Sequence, residues 1–81
     1  MTREEVFAEL KEVIKVVRPT LDVESVSFDT RLVEDLALDS LSMMLTAMAV
    51  ENRLDIRFDT SHPFRTVADV CDAAIEQLKS K

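Results

Sequence analysis

Eighty-one residues allow one small domain, spanning 1–81, with a single modest core and no second domain around an enclosed substrate pocket. Hydrophobic residues make up 47% and charged residues 32%, the balance of a globular chain, and 16 acids against 10 bases give a net charge of −6. That charge disfavours nucleic acid and anionic membrane and favours partners that offer basic patches.

The chain contains no glycine. This excludes the P-loop, the dinucleotide fingerprint and the glycine-based nucleophile elbow together. It also argues against tight hairpins, whose turns want glycine at positive φ, so the expected class is all-α. Cys71 is the single cysteine, which rules out an internal disulfide framework and fits a reducing compartment. No apolar run approaches the roughly 20 residues that span a bilayer, and "MTREEVFAEL" lacks a signal-peptide pattern. The expected location is the cytoplasm, without membrane insertion.

Thr2 and Glu5 have capping-box spacing, which starts a helix near Arg3. Val6, Phe7, Leu10, Val13, Ile14 and Val17 then form one stripe at helical period. Pro19 cannot continue the helix and disfavours helical geometry at Arg18, so the helix stops at about Val17. Residues 18–38 form a long connection anchored at Leu21, Val23, Val26, Phe28, Leu32 and Leu36. Anchors at that density predict a loop that packs across the bundle.

Asp39 is placed to cap a second helix that runs to about Leu54, with Ser40 in its first turn. Leu41, Met43, Met44, Leu45, Ala47, Met48, Ala49, Val50 and Leu54 make this helix apolar nearly all round. Such a helix is either buried or keeps a face for a partner, and its methionines suit both uses. Asp55 to Arg65 form a second connection, in which Pro63 suits the first position of a short helical turn. Thr66 caps a last helix with Asp69 at the third position, and Val67, Val70, Cys71, Ala74, Ile75 and Leu78 mark its inner face. The terminal "KSK" places positive charge where the helix dipole favours it. The predicted fold is a small four-helix bundle of three main helices and one short one, with a long loop between helices one and two.

Chemistry has few places to reside. A serine hydrolase needs a base beside its nucleophile, and His62 is the only histidine. One Cys and one His offer no metal-ligand spacing. His62 beside Pro63 reads as a loop residue, and Cys71 on an apolar stripe as a small buried hydrophobe. Ser40 by itself reads as an ordinary first-turn helix residue.

The longer segments resemble the acyl carrier proteins. "LVEDLALDSLSMMLTAMAVENRLDIRF" is similar to the family's loop-to-second-helix segment, with "DSL" at its attachment serine, and "TVADVCDAAI" is similar to its last-helix motif. The resemblance covers nearly the whole chain and is to the free-standing type. It implies a carrier without catalytic activity, with a 4′-phosphopantetheine arm on Ser40 added by a phosphopantetheinyl transferase (holo-carrier synthase). Acyl groups would ride as thioesters on the arm's sulfur. The implied partners are that transferase, an acyl-loading ligase or transacylase, a ketosynthase and other pathway enzymes, met by a monomeric carrier. An aminoacyl or peptidyl carrier, or a non-covalent helical interaction module, are the alternative readings.

The chain departs from the family's pattern in the second helix, where carboxylates usually follow the serine. Ser42 and Leu45 stand there, and Arg53 and Arg57 follow. Glu34, Asp35, Asp39 and Glu51 stay acidic. The expected docking surface therefore combines those acids with an apolar face of Leu41, Met43, Leu45 and Val50, with burial in the core the competing reading for Leu41 and Val50. Ala37 stands where the family usually has a glycine, and the segment for the family's short third helix is brief and holds Pro63. These departures point to a fatty-acid or polyketide-type carrier of a specialised, secondary-metabolic route.

Overall fold

The computed structural model describes residues 1–58 and 64–79. Three α-helices account for most of them: α1 (Arg3–Val17), α2 (Ser40–Leu54) and α3 (Val67–Lys79), with a 3-10 turn at Val23–Ser25 in the first connection. The fold is helical, as expected for a small bundle. The expected short third helix falls largely on residues 59–63, as do His62 and Pro63, outside the described residues.

Local chemistry sets the helix ends. At α1 the Thr2 hydroxyl accepts the Glu5 N–H at 3.2 Å, and the Glu5 carboxylate accepts the Thr2 N–H at 2.7 Å. Two otherwise orphaned donors are thereby satisfied, and the Glu5 carboxyl is held below its ordinary pKa chiefly by the Thr2 backbone bond. At α3 the Thr66 hydroxyl accepts the Asp69 N–H at 3.3 Å, while Asp69 accepts the N–H groups of Thr66 and Arg65 at 3.1 and 2.9 Å. Asp55 closes α2 in the left-handed conformation, φ 55°. Without glycine, aspartate is among the residues that tolerate this region best.

Both α2 and α3 pack against α1, whose Val6, Leu10, Val13 and Ile14 are buried. Val50 and Leu54 of α2 and Val67, Val70, Cys71 and Ala74 of α3 complete the helical part of the core. Burial pushes the Cys71 thiol up to about 11, so it stays neutral and unreactive at pH 7. The long connection is anchored as its sequence foretold. Val26, Leu32 and Leu36 are buried in it, and Leu38 joins them.

Two further devices hold this connection down. Phe28 lies against the Phe7 ring with centroids 4.6 Å apart, and the Arg3 guanidinium sits 4.4 Å above the Phe28 ring. At its other end Arg31 and Thr66 form an antiparallel bridge, with Leu32 N–H donating to Arg65 O at 2.9 Å and Val67 N–H to Thr30 O at 2.9 Å. The loop thus delivers the chain to the start of α2 through a fixed path. Just before that start, Ala37 adopts φ 55°. A left-handed alanine costs on the order of 1–2 kcal/mol that a glycine would not, and the surrounding anchors Leu36 and Leu38, both buried, hold it there.

Candidate functional site at the start of α2

The first turn of α2 begins at Ser40, immediately after its cap. Asp39 has extended backbone geometry, and its carboxylate accepts the Ser42 N–H at 2.8 Å. The Asp39 carbonyl accepts the first intrahelical bond, from Met43 N–H at 2.9 Å. The Ser42 backbone bond holds the Asp39 carboxyl below its ordinary pKa, with a smaller favourable effect from the Arg18 charge.

Ser40 is exposed, and its hydroxyl has no hydrogen-bond partner among the described residues. With Asp39 engaged by Ser42, the N–H groups of Ser40 and Leu41 still lack helical partners and point out of the positive end of the helix. A free hydroxyl on a helix N-terminus suits a phosphoester, whose charge the dipole and the spare N–H groups favour. Nothing comparable supports hydrolysis. The neighbouring Asp39 carboxylate is taken up by the Ser42 N–H, and no group of three His, Cys, Asp or Glu side chains among the described residues could hold a metal ion.

Behind Ser40, Thr46 is the buried polar residue of α2, and its hydroxyl donates to Ser42 O at 2.8 Å. A small apolar cavity of about 20 Å³ lies beside it, walled by Leu38, Met43, Ala47, Phe64 and Val70. That volume matches roughly one water-sized sphere, so side chains from the long connection, α2 and α3 nearly fill this space.

A sequence profile described as "Phosphopantetheine attachment site" matches residues 4–74. The chain belongs to the acyl carrier protein family. It is 35% identical to an acyl carrier protein of Coprothermobacter proteolyticus over the full length of both chains. An acyl carrier protein of Onion yellows phytoplasma is 37% identical over 80% of this chain and 87% of its own. One from Rhodococcus erythropolis is 32% identical over 99% of this chain and 88% of its own. Members are carriers and not catalysts, and the prosthetic group they bear is 4′-phosphopantetheine. The exposed hydroxyl at the head of α2 fits that group. No helix among the described residues is long and apolar enough to cross a membrane.

The residues expected to dock partners divide in the structure. Leu41 and Leu45 are exposed, 64% and 48%. Val50 is 1% exposed and belongs to the core, which decides between the two readings open for it, whereas Leu41 falls on the outer side. Val50 lies one turn past Thr46 and one before Leu54, on the side of α2 that meets α1. Met43 is half-buried and turns into the small cavity. Met44 and Met48, absent from the expected face, are 59% and 52% exposed.

The acids have internal partners. Asp35 accepts the Arg31 N–H at 2.8 Å and pairs with its guanidinium at 3.3 Å, while Glu34 pairs with Arg31 at 3.4 Å. Arg31, through its backbone N–H first, holds the Asp35 carboxyl below its ordinary pKa. Glu51 accepts the Phe58 N–H at 2.7 Å, which fastens the chain beyond α2.

Proposed function

We propose that Ser40 is the attachment residue for 4′-phosphopantetheine and that the chain, acting as one carrier unit, holds acyl intermediates for a biosynthetic enzyme set. The observation that carries this reading is the exposed Ser40 hydroxyl at the head of α2, without a hydrogen-bond partner among the described residues and within the residues matched by the phosphopantetheine-attachment profile. In attachment, Ser40 Oγ forms a bond to the pantetheine-side phosphorus of coenzyme A. The pyrophosphate bond to the adenosine bisphosphate breaks, and the hydroxyl proton passes to a base of the transferase. When bound, the group supplies a thiol that holds acyl chains as thioesters on a flexible tether.

The chain's own residues do the rest. Asp39 fixes the first turn, α2 presents the serine, and the anchored loop fixes the path of the chain up to it. A tether raises the cargo's local concentration at a docked enzyme to the order of millimolar without any catalysis by the carrier.

The scarcity of acids in the first turns of α2 supports a specialised, polyketide-like route over housekeeping fatty-acid synthesis. The partners in this reading are a phosphopantetheinyl transferase, a loading ligase or transacylase, and a ketosynthase. The setting is the cytoplasm, with the carrier monomeric.

Intact-mass measurement tests the attachment. Apo protein incubated with coenzyme A, magnesium and a broad-specificity transferase gains the mass of one phosphopantetheine, and Ser40→Ala gains nothing. Addition that persists in Ser40→Ala overturns the assignment.

A further inference from the structure

The end of α1 lies beside the start of α2. Glu9 of α1 pairs with Arg53 of α2 at 2.7 Å, and Val13 and Val17 share a groove with Ala49. A step forward along α1 is thus a step back along α2, and the two helices run antiparallel. Carrying the Glu9–Arg53 register to the end of α1 sets Arg18 level with Met44, about 6 Å of helix axis from Ser40. An extended arginine side chain spans such a distance. Side chains inside a helix lean back toward its N-terminus. Arg18 is free of that constraint, because it ends α1 at φ −133° and ψ 79°, outside the helical region.

The backbone of Arg18 is fixed while its charge is uncommitted. Its N–H donates to Ile14 O at 2.7 Å, its carbonyl accepts the Leu21 N–H at 3.1 Å, and Pro19 follows directly. The residue is half-buried, yet its guanidinium has no carboxylate within ion-pair distance among the described residues. Arg3, Arg31 and Arg53, by contrast, each pair with a carboxylate. The Arg18 charge nevertheless reaches Asp39 and helps to keep that carboxyl ionised.

Modification of Ser40 creates a need for such a charge. Asp39 keeps its negative charge at pH 7, since the Ser42 N–H lowers its pKa without neutralising it. A phosphodiester on Ser40 sets a second anion on the adjacent residue, in a chain that already carries −6. The two anions repel, and the spare N–H groups of the first turn offset only part of that repulsion. Resting on the attachment reading, we infer that Arg18 is the charge partner of the phosphodiester on Ser40, a positioning residue that holds the root of the arm at the junction of α1 and α2. A guanidinium suits this place because its several planar donors can serve phosphate and carboxylate oxygens together. Arg18 thereby fixes where the arm leaves the protein, whatever cargo its thiol carries.

The test compares apo and holo forms of the parent, Arg18→Gln and Arg18→Lys, with intact mass to verify loading. Lys15→Gln, an exposed change on the same helix, is the control. Thermal unfolding of the apo forms measures what Arg18 does for Asp39 and the fold alone. In the holo forms Arg18→Gln should lose about 2–5 °C of Tm beyond its loss in the apo forms, the scale of one exposed charge pair in a domain of this size. That extra loss should shrink at high salt, and Arg18→Lys should restore the larger part of it. Phosphorus NMR adds a readout that a purely structural role would not move. The phosphodiester signal should shift in Arg18→Gln and stay in place in Lys15→Gln. Equal Tm losses in apo and holo forms, with the signal unmoved, overturn the inference and leave Arg18 a partner of Asp39 alone. An equal response to Lys15→Gln also overturns it, because net charge would then suffice. Should Arg18→Gln resist loading, the parent's own holo–apo Tm difference decides, and one that is indifferent to salt overturns the inference. A parent chain that gains no phosphopantetheine mass sinks the attachment reading together with this inference. A loaded parent whose holo form ignores Arg18→Gln removes the role of Arg18 alone.

Discussion

Helices α2 and α3 are 15 and 13 residues long and both pack on α1, yet they distribute apolar residues in opposite ways. In α3, Val67, Val70, Cys71 and Ala74 are buried, Ile75 and Leu78 are half-buried beside them, and Asp69, Asp72, Glu76 and Lys79 face outward. Its apolar content is what the core requires. In α2, only Thr46, Val50 and Leu54 are buried, while Leu41, Met44, Leu45 and Met48 remain exposed. The fold accounts for one face of α2 and leaves the other unexplained. That surplus is the part of the molecule that stability alone does not demand, and it adjoins the candidate attachment serine.

The sharpest way to break this comparison is to disturb the inner face of each helix in turn. Val70→Asp buries a carboxylate without a partner at a position only 4% exposed. The expected cost is roughly 3–5 kcal/mol, comparable with the whole stability of a domain this small. Far-UV circular dichroism should report a largely unfolded chain at 25 °C. A milder probe of the inner face of α2 is Leu54→Ala, which leaves a cavity beneath a side chain 8% exposed. Denaturant unfolding should show a loss of about 2–4 kcal/mol. A loss below about 1 kcal/mol would mean that α2 is held less by its inner face than its burial implies.

Sequence and structure agree most closely at the helix ends. Thr2 with Glu5, Pro19, Asp39, and Thr66 with Asp69 each bring their own local chemistry, so boundaries could be read without tertiary knowledge. The inner faces of α1 and α3 were legible for a related reason, because polar residues mark where each stripe stops. In α2 that marker is missing. An all-round apolar helix gives no register, and packing on α1 decides that Val50 turns inward while Met44 and Met48 stay out. Likewise nothing in the sequence announced the Arg31–Thr66 bridge, which depends on two segments meeting in space. Ser40 stood out as a candidate only through the segments around it, since a serine in a first helical turn is commonplace.

The caps offer a finer comparison of the two helices. Thr66→Ala removes the hydroxyl that accepts the Asp69 N–H, and should cost about 1 kcal/mol in thermal or denaturant unfolding. Asp39→Ala removes the corresponding acceptor at α2 and should lower the Tm at pH 7. Only the second effect has a direct pH signature. The folded-state pKa of Asp39 lies below its unfolded value near 3.8, so its contribution is fully present above that pH. It is lost as pH falls through the folded value. The Tm gap between the parent and Asp39→Ala should therefore be constant from pH 7 to 5 and close below about pH 4. A gap that persists at pH 2 would show that the carboxylate's charge is not what stabilises the turn.

The smallest expected effect is the most informative about α2. Leu45→Gln with Met48→Gln changes two side chains that are about half exposed and lie outside the core. Glutamine is as good a helix former as either residue, so neither propensity nor packing is much altered. Unfolding free energy should move by no more than about 0.5 kcal/mol, within the range of ordinary surface changes. If it falls by 2 kcal/mol or more, the outer stripe is part of the fold's own packing and the contrast with α3 collapses. If it holds steady or rises, the chain keeps four apolar side chains in water without gaining stability from them. Selection for stability then has no hold on these residues, and contact with another molecule is the remaining physical reason for their register beside Ser40.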